Sequence, residues 1–380
     1  MMSTNGSMPR PTAEMLEQMT ELFGFRPSTE QAMAIAAPLE PSVIIAGAGT
    51  GKTTVMAARV TWLVAKGLVR ADQVLGLTFT RKATAELRTR VGRNLTKAGL
   101  LQPDDQEPTV LTYDSFAANL VSEFGAWIGV DPATRLISDA RCVQVALDVL
   151  HDPEKVPPRA GQVTARSIAE GVLSLSEQAS SHAVSMDDLR ATNDAWRHQL
   201  DQAAPRKNGE PYVDVVKAQN AAEQRDQLMW YAQEYRNLLT ERGFFRFSDR
   251  LNQAIQLVRD FPRIGQQIRS RYAVVLLDEY QDTSSSQARL LASLFSGSTP
   301  ENGRGHAVTA VGDPLQAIYG WRGAAANNIL DFPRHFPHRD GPDAYDNGQY
   351  SLTQNRRSNQ TILDCATVSY THLRAHETRG

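Results

Sequence analysis

The chain has 380 residues, 41% of them hydrophobic and 22% charged, with a formal net charge of −2, which is enough chain for two or three domains with a core each. Its two cysteines, Cys142 and Cys365, exclude a disulfide framework or a four-thiolate metal site and point to a reducing, cytoplasmic setting. No apolar run approaches the roughly 18 residues of a membrane span, the polar start has no secretory signal, and the near-neutral charge confines any nucleic-acid surface to a local patch.

In chain order, residues 1–20 are expected to be loosely packed. The first strong element is 43-VIIA-46, followed by 46-AGAGTGKTT-54 and a helix-like run to Gly67. Strand, glycine-rich loop and helix is the context in which G-x-x-x-x-G-K-[ST] binds phosphate. Ala46 stands where that pattern has its first glycine. A small residue suffices there if Gly47, Gly49 and Gly51 make the turn, with Ala48, Thr50 and Thr54 completing the loop. Successive N–H groups and the helix N-terminus then form an anion nest. Lys52 reaches phosphate and Thr53 is placed to ligate Mg²⁺. The bland alternative is a glycine-rich turn that merely precedes Lys-Thr.

Four more apolar runs end in polar residues: 74-VLGLTFT-80, 109-TVLTYDS-115, 273-AVVLLDEYQD-282 and 307-AVTAVGDPLQ-316. Near-continuous apolar strands belong to a parallel sheet buried on both faces, and ligands bind beyond the carboxyl ends of such strands. Asp278 is placed to hold Mg²⁺ and Glu279 to act as general base. Gln316 is an uncharged group for phosphate and water. Tyr319, Trp321 and Arg322 follow it, either stacking on unpaired bases or covering a domain edge.

Between the second and third runs, Ala83, Leu87, Val91 and Leu95 recur every four residues, which predicts one buried helical face. Arg81, Lys82, Arg88, Arg90, Arg93 and Lys97 oppose the single acid Glu86. This surplus suits a phosphate backbone or a solvated face. Phe79 is placed to meet a base, and Thr112, Tyr113 and Ser115 to bond a sugar-phosphate. From Ser115 to Tyr272 the strand pattern gives way to helix-like blocks at 139–152, 165–180 and 213–243. The eight histidines show no metal spacing.

Taken in order, AGAGTGKT, LTFTRKATAELRTRV, TYDSF, LLDEYQDTS, AVGDPLQAIYGWRGA and LTQNRRSNQ resemble the UvrD/Rep/PcrA-type superfamily 1 DNA helicases over residues 20–365. The subtype is similar to actinobacterial helicase–nuclease subunits of the AdnB kind. The resemblance implies an α/β fold: a RecA-like P-loop NTPase core with a parallel sheet, an inserted all-helical domain and the start of a second RecA-like domain. On that pattern residues 21–120 and 245–335 form the first motor domain, 121–244 the helical insert and 336–367 the truncated start of the second. Residues 368–380 match nothing in the family and are expected to be a non-native tail.

The implied activity is ATP- and Mg²⁺-dependent movement, 3′ to 5′, on single-stranded or 3′-tailed duplex DNA in repair or recombination. A helicase–nuclease partner subunit is implied too, and a nucleotide-dependent DNA-binding module without motor activity is the rival reading. Gln31 matches an adenine reader. Ala46 to Thr54 form the nucleotide loop, with Lys52 and Thr53 as phosphate and metal ligands. Asp278 and Glu279 match the metal carboxylate and base, Gln316 the γ-phosphate sensor, and Arg357 an arginine reaching that phosphate. Phe79, Thr80, Arg81, Thr112, Tyr113, Tyr319, Trp321 and Arg322 fall on DNA-contacting positions. Arg356 stands where the family has an adenine-stacking tyrosine.

Overall fold

A computed structural model describes residues 11–102, 104–130, 134–152, 164–182, 184–318, 326–340, 348–359 and 361–362. Two compact units divide the chain. The first comprises residues 1–116, 262–283 and 291–380, and the second residues 117–261 and 284–290.

Eight strands occur among the described residues: β1 (Ser42–Ala46), β2 (Val74–Thr78), β3 (Thr109–Thr112), β4 (Arg135–Leu136), β5 (Phe244–Phe245), β6 (Val274–Leu277), β7 (Ala307–Gly312) and β8 (Gln349–Leu352). In the first unit six of them form one sheet in the order β3-β2-β6-β7-β1-β8, every pairing parallel. Its central strands β2, β6 and β7 are buried at every residue, as their unbroken apolar runs demand. Helices Ala13–Phe23, Thr29–Ile35, Lys52–Ala65 and Arg81–Lys97 pack around a core that includes Met19, Ile35, Ile44, Leu63, Leu87 and Val311.

Helix starts follow local chemistry. Thr12, Ser28 and Thr80 each accept a backbone N–H through the side-chain oxygen at their helix N-cap. Ser28 and Gln31 complete a reciprocal capping box. Leu87, Val91 and Leu95 are buried as their spacing predicts, and Ala83 is half-buried.

The second unit is mostly helical. Asp139–His151, Ala165–Ser181, Met186–Asp201, Val213–Glu241 and Phe247–Asp260 are its main helices, with β4 and β5 as a short parallel pair. Its core gathers Cys142, Val145, Val149, Val172, Met186, Tyr231, Ala232, Tyr235 and Leu239.

Three domain expectations change. Residues 13–20 are not loose: they lie in the Ala13–Phe23 helix, whose Met19 is fully buried. Residues 245–261 belong to the helical unit and not to the sheet, because β5 pairs with β4 and the following helix packs on Ala165–Ser181 and on the 3₁₀ turn Gly125–Ile128. Residues Gln349–Leu352 do not open a second sheet. They are β8, the edge strand of the first, with Val43 opposite Gln349 and Ala46 opposite Leu352. Residues 368–380 lie outside the described residues. Among the described residues no helix is long and apolar enough to cross a membrane.

Candidate nucleotide site

The loop after β1 is built by glycine. Gly49 and Gly51 have φ of +73° and +92°, in the left-handed region that a side chain disfavours. Thr50 closes the turn, its N–H and Oγ1 both donating to the Gly47 carbonyl at 3.4 and 2.9 Å. Unlike its neighbours, the helix Lys52–Ala65 has glycine at its N-cap and no side-chain cap. Its first N–H groups are therefore not claimed by a capping oxygen. An anion at a helix start finds open N–H donors and the positive end of the helix dipole.

The strand ends bring the catalytic candidates to this loop. Lys52 Nζ donates to Glu279 Oε2 at 2.9 Å in a half-buried ion pair. Glu279 directly follows Asp278 at the end of β6 and has a φ of 47°, the one non-glycine residue with positive φ among those described. Backbone held in a sparse region marks a position over-determined by its surroundings. Asp278 is buried, and its Oδ1 has no hydrogen-bond partner. Burial, then the neighbouring Glu279 charge, pushes the Asp278 carboxyl up to about 7. An orphaned buried carboxylate oxygen beside a phosphate loop fits a hard divalent cation, whose charge would favour the ionised form. Among the described residues no group of three or more His, Cys, Asp or Glu residues forms a protein-only cage.

The turn after β7 carries Gln316, whose Nε2 donates to Asp313 at 2.6 Å. Gln31 is buried, donating to the Thr50 carbonyl at 3.1 Å and accepting the Ser28 N–H. It thus braces the phosphate loop from beneath. The segment after β8 lies on the loop: Asn355 Nδ2 donates to the Ala48 carbonyl at 2.7 Å and the Arg356 N–H to the Gly49 carbonyl at 2.8 Å. A Cβ on Gly49 would come within 2.7 Å of Arg357 Cβ, so Arg357 starts against the loop with its side chain exposed. Arg356 is exposed as well, its guanidinium turned to Gln354.

The expected DNA contacts divide. Phe79 is half-buried, and Thr80 and Arg81 are exposed at the start of their helix. Thr80 caps that helix through Ala83 N. Thr112 bonds Ser115 within the turn. Tyr113 is a correction. It is buried, and its hydroxyl donates 2.8 Å to the Asp278 backbone carbonyl, so it braces the residue after β6, and its hydroxyl is not presented to a nucleic acid. Arg88 and Arg90 also turn inward, to the Val110 carbonyl and to Thr54 Oγ1, each at 2.6 Å. Arg81, Lys82, Arg93 and Lys97 keep exposed charge. Tyr319, Trp321 and Arg322 lie outside the described residues.

Sequence reasoning missed three contributors. Gln281 and Asp313 link the two strand ends, and Arg59 is fully buried with its guanidinium on the carbonyls of Ala34, Ile35, Ala37 and Pro38. Burial lowers the Arg59 pKa to about 10. Arg59 ties the phosphate helix to the end of the helix carrying Gln31. The signal for it was a charge inside an apolar helical run.

Comparison with known proteins agrees with this geometry. Residues 27–337 match the family described as UvrD/REP helicase N-terminal domain. The chain is 28% identical over 360 residues to the ATP-dependent DNA helicase UvrD1 of Mycobacterium leprae (strain TN), covering 91% of this chain and 39% of that protein. It is 29% identical over 363 residues to UvrD1 of Mycobacterium tuberculosis (strain ATCC 25618 / H37Rv), covering 94% and 40%. With the ATP-dependent DNA helicase PcrA of Staphylococcus aureus (strain Mu50 / ATCC 700699) it shares 27% identity over 346 residues, or 89% and 39%. The chain thus spans about two fifths of the length of these curated relatives.

Proposed function

Because the chain belongs to the UvrD/REP helicase N-terminal domain family, we propose that it supplies the ATP-hydrolysing part of a DNA helicase. On this reading it moves 3′ to 5′ on single-stranded or 3′-tailed DNA in the cytoplasm, in repair or recombination. The observation that carries it is the Lys52–Glu279 contact at 2.9 Å beside an orphaned Asp278 carboxylate. Phosphate reader, base and metal carboxylate share one site.

Each residue has a step. The open N–H groups at Gly51–Thr53 take the phosphates. An incoming γ-phosphate competes for Lys52, which frees Glu279 to accept a proton from the attacking water. Thr53 and Asp278 would hold Mg²⁺, which would supply charge neutralisation on the phosphate oxygens. Gln316 and Arg357 read the γ-phosphate, and Gln31 is assigned to the adenine, with Arg356 at the position of the family's stacking tyrosine. Phe79, Thr80, Arg81, Thr112, Tyr319, Trp321 and Arg322 form the proposed DNA track. A helicase–nuclease partner subunit fits this role without adding to the site.

The test is ATP hydrolysis by the full-length protein with and without single-stranded DNA. The expected result is DNA-stimulated turnover that Lys52→Ala lowers by about 100-fold or more. Lys52→Ala turnover within tenfold of wild type would refute the assignment. Tight binding of ATP and DNA with no turnover would favour a nucleotide-dependent DNA-binding module.

A further inference from the structure

We propose that Gln281 is a positioning residue that couples the base carboxylate to the γ-phosphate sensor turn, an inference that rests on the ATPase reading above. Gln281 is 1% exposed and touches neither the phosphate loop nor any exposed surface through its described bonds. Its amide faces two ways. Nε2 donates to Glu279 Oε2 at 2.8 Å and to the Asp282 carboxylate at 3.3 Å. Oε1 accepts the Asp313 N–H at 3.1 Å. The Asp313 carboxylate in turn accepts from the Leu315 N–H and from Gln316 Nε2, at 3.0 and 2.6 Å. One unbroken hydrogen-bonded run therefore passes from Lys52 through Glu279, Gln281 and Asp313 to Gln316, crossing from the end of β6 to the end of β7.

Only an amide can hold this position. Glutamate has the shape but lacks the donor, and it would face two carboxylates. Methionine has the length but neither function. Gly312 is built for the same contact, since a Cβ there would collide with Gln281 Oε1. Asp282 extends the link by accepting the Ile318 N–H at 3.4 Å, so both ends of the 313–318 turn hang from the residues that follow Glu279. When Gln316 leaves Asp313 for a γ-phosphate, the change reaches Glu279 through Asp313 and the buried Gln281. Buried polar networks of this kind transmit displacement because each member has few alternatives.

The experiment compares wild-type, Gln281→Glu, Gln281→Met and Gly312→Ala full-length proteins, measuring kcat and KM for ATP with saturating single-stranded DNA. Thermal midpoints identify the variants that remain folded. The expected result in every folded variant is a kcat lowered about 10- to 100-fold with the KM for ATP within about twofold of wild type, because Gln281 contributes to alignment and not to ground-state binding. A folded Gln281→Glu or Gln281→Met protein with kcat within about twofold of wild type overturns the inference. So does a raised KM at unchanged kcat. A wild-type protein without DNA-stimulated hydrolysis overturns the functional reading and the coupling with it, whereas a stimulated wild type with an equally stimulated Gln281→Glu overturns the coupling alone.

Discussion

Arg59 and Tyr235 are among the bulkiest fully buried side chains of the described residues, one in the sheet unit and one in the helical unit. Arg59 is a charge among apolar residues, held by four backbone carbonyls. Tyr235 is an aromatic ring in a cluster of Val, Ala, Leu and Met. The sheet unit also buries Gln31, Asp278, Gln281, Asp282 and Asp313, and all but Gln31 follow β6 or β7 directly. In the helical unit the ion pairs Arg166–Glu170, Arg190–Asp187 and Arg197–Asp226 lie toward solvent. Burying polar groups costs stability unless each is bonded. The sheet unit carries that cost mainly at the ends of β6 and β7, whereas the helical unit buries fewer such groups, Asn193 among them, beside a largely apolar core.

The comparison predicts different responses to damage. The largest is expected at Tyr235→Ala, which removes a buried ring and should lower stability by about 3–5 kcal/mol. Urea unfolding would measure this, with nucleotide affinity unchanged at temperatures where the variant is folded. A loss below about 1 kcal/mol would show that the helical core is not organised around this ring.

An intermediate effect is expected from pH. The folded pKa of Asp278, about 7, lies above its unfolded value of about 4. A carboxyl raised in this way prefers its proton in the folded state. It therefore costs stability progressively as pH rises from about 4 through about 7. Without nucleotide and Mg²⁺, the thermal midpoint should fall across that window, and Asp278→Asn should flatten the fall. An Asp278→Asn protein with the wild-type pH profile would remove Asp278 as its source. Adding Mg²⁺ and ATP should restore the most stability at the alkaline end, where the carboxylate is ionised and needs a partner.

The smallest effect is expected at Arg166→Ala. This i,i+4 pair with Glu170 is exposed on both sides and should contribute less than about 0.5 kcal/mol. A larger loss would show that surface ion pairs of the helical unit contribute more than solvent screening allows.

Much of the fold is legible in the order of residues. The runs at Val43, Val74, Thr109, Val274 and Ala307 are strands of one parallel sheet, and Glu279, at the end of the Val274 run, bonds Lys52 of the glycine loop that follows the Val43 run. Apolar runs and glycine-lysine-threonine spacing are local signals, set by backbone sterics and by which faces must leave water. β8 is not legible in this way. Gln349–Leu352 is a short edge strand that alternates exposed and buried residues, and its membership depends on the partner it finds in β1. The helix Phe247–Asp260 has an ordinary amphipathic pattern, which says that it packs but not on which unit.

The amino-acid order by itself determined strands β1, β2, β3, β6 and β7, the glycine turn that leaves helix N–H groups open, and the residues proposed for phosphate, metal and base. Tertiary structure alone decided that Tyr113 supports Asp278, that Arg59 binds one helix to another, and that Gln281 joins two strand ends. The physical reason is range. Propensity and periodicity act over a few residues, whereas a hydrogen bond between Gln281 and Asp313 exists only once separate strands have paired and excluded water from between them.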